Sequence, residues 1–175
     1  MRHRIAAVMG LLALQASVSG HALWQKTSYG MTLNQVQAVV PLAAVPRDPS
    51  HLSGNVLERL RIENYAVVGK PFVVRFYFGA DKLVEVMLEA LKEDSLIEYS
   101  STFDALAEVL RAKYGAERSK KNLDNSLAMI HEFTWVDGKT DITLLLTSAG
   151  DTSSGAITVL NLVYSTNLSK EAEKL

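Results

Sequence analysis

The stretch Phe72-Val73-Val74-Arg75-Phe76-Tyr77-Phe78 decides the fold class. β-Branched and aromatic side chains dominate it, and these fit the pleated, half-buried surface of a strand. A two-residue period sets Phe72, Val74, Phe76 and Phe78 on one face, and Val73, Arg75 and Tyr77 on the other. Gly79-Ala80-Asp81-Lys82 supplies a hairpin turn, after which residues 83–91 return as a strand alternating Leu83 and Glu85 with Val84 and Val86. The end of that run, Met87 to Leu91, also suits a helix. Upstream, residues 57–68 are moderately apolar and stop at the turn residues Val68-Gly69-Lys70-Pro71. Three strands are therefore expected around the aromatic stretch.

A helix precedes them. Leu33, Val36, Val39 and Val40 recur at the spacing of one helical face, Thr32 is placed to cap it, and Pro41 stops it. Residues 41–54, with Pro46, Pro49 and Gly54, read as a loop. The order then recurs. Thr102 is placed to cap a helix carrying Phe103, Leu106, Val109 and Leu110, and Tyr114-Gly115 ends it, with Arg111 and Lys113 at the negative end of the helix dipole. After a polar loop at 116–126, strands are expected over 127–136, 142–147 and 156–164, separated by Asp137-Gly138-Lys139 and the loop 148–155. The tail 168–175 reads as a short solvated helix or frayed end.

An offset of 70 superposes Thr32 on Thr102, Leu33 on Phe103, Val36 on Leu106, Val39 on Val109 and Phe72 on Ile142. Two copies are too few for a solenoid, so the units would close one sheet. The expected architecture is an α+β fold with two short helices packed on a mostly antiparallel sheet, built as a duplicated α-β-β-β unit over 29–91 and 99–165. The alternative is two unrelated helix-and-meander segments, which share the same coarse pattern.

Tyr29-Gly30-Met31-Thr32-Leu33-Asn34-Gln35-Val36 resembles the Gly-Met-Thr/Ser-x-x-x-Val opening of the small secreted α/β domains of the BamE-like and β-lactamase-inhibitor-protein-like group. Tyr114-Gly115 is similar to the pair that ends the equivalent helix of a second unit. The resemblance implies a periplasmic interaction domain, either a scaffold of envelope assembly or an inhibitor whose sheet lies against another protein. The chain departs from both groups. It lacks the lipid-bearing cysteine of the first and the bracing cysteine pairs of the second.

The N-terminus fits that location. Arg2, His3 and Arg4 form a positive region, residues 5–18 an apolar one, and Gly20 and Ala22 stand at the −3 and −1 positions of a signal-peptidase site. The expected division is a signal peptide at 1–22 and a single domain at 23–175, exported to the periplasm or secreted. The apolar run, about fourteen residues, falls short of the roughly twenty that span a bilayer, and with no lipidation cysteine no stable membrane anchor is expected. The 153 residues that remain (175 minus 22) suffice for one core. Without cysteine, that core must hold by packing alone.

Removal of Arg2 and Arg4 leaves sixteen Lys and Arg against nineteen Asp and Glu, a balance that argues against nucleic-acid binding. The one basic cluster, Arg118, Lys120 and Lys121, reads as a solvated loop. His51 and His131 are the histidines outside the leader, and no H-E-x-x-H, Gly-x-Ser-x-Gly or phosphate-binding glycine loop occurs. The small-residue run 148–155 reads as a strand connection rather than an anion nest. No catalytic residue, metal ligand or cofactor is expected, and the chain reads as a non-enzyme.

Arg75, Tyr77 and Trp135 are the candidate binding residues. On one solvent-facing side of the sheet they would form an aromatic and arginine cluster of the kind enriched at protein interfaces, whereas if helices cover that side they are ordinary core or rim residues. The expected function is binding or scaffolding of another envelope protein. The alternative is a periplasmic carrier of a lipid or small ligand, which would need an apolar cavity between helices and sheet.

Overall fold

The computed structural model describes residues 21–91, 95–125, 128–150 and 156–166. The element order is α1 (Leu33–Val39), β1 (His51–Leu52), β2 (Val56–Val67), β3 (Lys70–Gly79), β4 (Lys82–Ala90), α2 (Leu96–Tyr114), β5 (Ser119–Asp124), β6 (Ala128–Asp137), β7 (Thr140–Ala149) and β8 (Ile157–Thr166). Most of the expected leader, the loop residues 151–155 and the tail 168–175 lie outside the described residues.

The expected α+β class is overturned. Strand takes 53% of the described residues and helix 19%, and the strands form one eight-stranded antiparallel half-barrel in the order β1-β2-β3-β4-β8-β7-β6-β5. The balance shifts because segments read as loops also pair. Residues 119–124 form β5 along β6, His51–Leu52 form β1, and Ala44 bridges to Arg61. Polar composition hid β5, whose six residues are all exposed at the sheet edge. Nor are both helices short, since α2 runs for 19 residues.

Each half is a helix followed by four strands rather than three, and the halves meet at the antiparallel seam between β4 and β8. The hairpins β2–β3 and β6–β7 keep the offset of 70, because Val67 pairs with Lys70 and Asp137 with Thr140. The last strands have slipped to an offset of 74, since Phe72 faces Ala90 while Ile142 faces Tyr164 (164 minus 90).

Thr32 caps α1 through a reciprocal box, accepting from the Gln35 amide at 3.4 Å while Gln35 Oε1 accepts from the Thr32 amide at 2.8 Å. The second cap is Ser95 and not Thr102. Ser95 Oγ accepts from the Glu98 amide at 3.3 Å, and Thr102 is buried in the middle of α2. At the other end Gly115, at φ 83°, closes the helix with its amide on the Arg111 carbonyl at 2.9 Å.

The core fills the helix side of the sheet. Phe72, Phe76, Leu88, Ile142, Leu144 and Leu160 point into it, and Phe103 and Leu106 of α2 and Val36 of α1 meet them. Trp24 joins from the N-terminal segment, edge-on to Tyr65 at 5.2 Å and Phe76 at 5.9 Å. Each such side chain contributes about 1.5–3 kcal/mol on burial, so this layer dominates stability. The alternation expected for β4 fails at its start. A bulge between Tyr77 and Phe78 turns both Leu83 and Val86 into the core.

Candidate functional site

Opposite the core lies the sheet's second face. In the N-terminal half it holds a charged cluster centred on Glu58, whose side chain is 0% exposed. Arg61 reaches it twice, Nε to Oε1 at 2.5 Å and Nη2 to Oε2 at 2.8 Å, and Arg75 Nη1 lies 3.2 Å from Oε2. Ser50 donates to the same carboxylate from its amide at 2.8 Å and its hydroxyl at 2.7 Å, and Ser50 Oγ is 2.9 Å from the Tyr77 hydroxyl. Burial alone would raise the Glu58 pKa, but the Arg61 hydrogen bonds, the two from Ser50 and the Arg75 charge outweigh it and hold the group at about 2. Burial pushes the Tyr77 hydroxyl up. A carboxylate so stabilised is a poor proton acceptor near neutrality, and among the described residues no histidine stands in the cluster. Its chemistry is structural, since it fastens the 44–52 segment over β2 and β3.

Strict alternation would put Glu58 and Arg61 on opposite faces. The bulge between Glu58 and Leu60 brings them together.

In the C-terminal half the same face is uncovered among the described residues. α2 contacts β6, β7 and β8 from the core side. Across the seam the cross-strand neighbours are Met87, Val163, Thr143 and Thr134 in one row, and Glu89, Asn161, Leu145 and Glu132 in the next, all half-buried. The row above them runs Tyr77, Glu85, Ser165 and Asp141. Burial raises the pKa of Glu85. The arrangement is an apolar and threonine centre edged by carboxylates.

The structure divides the three candidate binding residues. Arg75 and Tyr77 share the second face, but Arg75 is held by Glu58 and Glu89 and Tyr77 is buried under the 44–52 segment. Trp135 is on the other face, 1% exposed, with Nε1 donating to the Gly115 carbonyl at 3.1 Å. It is a core residue that locks the α2 exit, and the three do not form one cluster.

No family model, curated protein or solved structure matches this chain.

Sequence reading missed the Met87, Thr143, Leu145 and Val163 surface. The signal was there in the mixed alternation of 142–147, where Ile142, Leu144 and Leu146 face the core and Thr143, Leu145 and Thr147 do not. His51 on β1 and His131 on β6 stand toward opposite edges of the sheet. His131 Nε2 contacts Asp124 at 3.0 Å and its ring lies edge-on to Phe103. Among the described residues no group of three or more His, Asp or Glu is placed to hold a metal, and no helix is long and apolar enough to cross a membrane.

Proposed function

We propose that the chain is an exported protein-binding or scaffold domain of the bacterial cell envelope, engaging its partner through the uncovered face of β4, β6, β7 and β8. One observation carries the reading. Met87, Val163, Leu145 and Thr143 are contiguous and half-buried on the side of the sheet away from α1 and α2, and a docked partner would remove their remaining apolar surface from water. The leader-like residues 1–22 and the resemblance to the BamE-like and β-lactamase-inhibitor-protein-like group supply the compartment and the mode of action.

A carrier is the second reading. The space between α2 and the sheet is filled by Phe103, Leu106 and their partners, so a ligand would have to use an open cleft of about 550 Å³ at the end of the seam, lined by Leu96, Tyr99, Ile157 and Val159 with Glu89 and Ser148.

The full chain, tagged at its C-terminus in its own cells, is captured from envelope extract beside a Thr143→Arg, Val163→Arg variant. A protein retained by the parent and lost by the variant supports the reading. Retention indifferent to these changes sinks it, and a co-purifying lipid in place of a protein moves the carrier forward.

A further inference from the structure

The second face of the sheet, taken over both halves, carries more acid than its arginines neutralise. Its two arginines are committed within the molecule. Arg61 is held by Glu58, Glu63 and the Asp48 carbonyl, and Arg75 by Glu58 and Glu89. Glu85 on β4 and Glu132 on β6 have no ion-pair partner among the described residues. Lys121 lies opposite Glu132 in register without forming a salt bridge. The strands bearing the two carboxylates are three spacings apart, ~14 Å, with Val163, Thr143 and Leu145 between them.

We infer that this face takes a cationic protein partner, which sets lysine or arginine side chains against Glu85 and Glu132 on either side of an apolar contact. The inference rests on the docking reading above and adds the partner's charge. A half-buried carboxylate loses hydration without gaining a counter-ion, and an incoming cation supplies one while desolvation strengthens the pair. The burial that raises the Glu85 pKa marks that deficit. A second copy docked face to face would set acid against acid, and a nucleic-acid or anionic-lipid surface meets the same repulsion.

The test is an amide-shift titration of the purified protein with a lysine–leucine amphipathic peptide and its glutamate–leucine counterpart, repeated on the Glu85→Gln, Glu132→Gln double variant. The amide substitutions keep shape, and the variant's own spectrum reports that it folds. The expected result is that the lysine peptide alone moves the amides of Thr143, Leu145 and Val163, with affinity falling roughly tenfold in the double variant and on raising salt. Equal binding of both peptides to that face, or unchanged affinity of the variant, overturns the charge selection while leaving the docking surface intact. Shifts elsewhere on the molecule, or none, overturn both.

Discussion

The Arg75 guanidinium sits 3.2 Å from the Glu58 carboxylate, on the face of the sheet opposite α1 and α2. With Arg61 on its other side, Glu58 is the buried anion that two cations share. This pairing belongs to the fold, and the docking proposed above uses the neighbouring half of the face.

Glu58→Gln keeps the volume but strands two partly buried arginines. A loss of about 2–3 kcal/mol is expected in urea unfolding, because breaking a buried pair leaves the remaining charge uncompensated. A change below about 1 kcal/mol would mean that the arginines find solvent or Glu89 and Glu63 instead.

Acid unfolding carries the same signature. Glu58 titrates at about 2 when folded against an ordinary 4.5, so between those values the unfolded chain binds more protons. Its contribution is complete above pH 4.5 and disappears as pH falls toward 2, a loss of about 3 kcal/mol. Glu117, lowered against burial by its own backbone and by Arg111 and Lys120, acts in the same direction. Glu85, raised by burial, acts in the opposite one. The stability-versus-pH curve of Glu58→Gln should therefore be flatter from pH 5 to 2 than the parent's; parallel curves would contradict the assignment.

Thr140 Oγ1 donates to the Ala22 carbonyl at 2.5 Å, and the Tyr29 amide to that of His21 at 2.9 Å. Cleavage after Ala22 removes both acceptors. A chain starting at Leu23 should be about 1–2 kcal/mol less stable than one starting at His21. Thr140→Val should cost stability in the longer chain and little in the shorter. Equal unfolding midpoints for the two chains would show that these bonds add nothing.

Helix termini give a further check on the fold. Ser95→Ala should cost about 1 kcal/mol and fray the first turn of α2. Gly115→Ala meets nothing within 4 Å, so its cost of about 1–3 kcal/mol comes from the positive-φ extended backbone alone, a conformation essentially confined to glycine. Circular dichroism with thermal unfolding reads both, and a silent Ser95→Ala would return the cap to another residue.

Much of the fold is legible because its period is strong. Phe72 to Phe78 alternates as read, the capping box at Thr32 is local chemistry, and the hairpins at Gly69 and Gly138 follow from turn residues. The failures have physical causes. β5 reads as solvated loop because an edge strand needs no apolar face, and Thr102 displaced Ser95 because the apolar run it opens is only the buried part of a longer helix. The site was less legible than the fold. Alternation gives the faces of one strand but not which face the helices choose, so the sequence leaves Trp135 open between surface and core and gives no reason to single out Thr143 and Val163. Bulges then broke the alternation itself at Glu58 and Leu83.

The most direct test places a photo-crosslinking residue at Thr143, on the uncovered face, or at Glu108, on the exposed side of α2, and irradiates the producing cells. A discrete protein adduct from Thr143 and none from Glu108 is the expected result. Adducts from Glu108 alone, or from neither position, would contradict it.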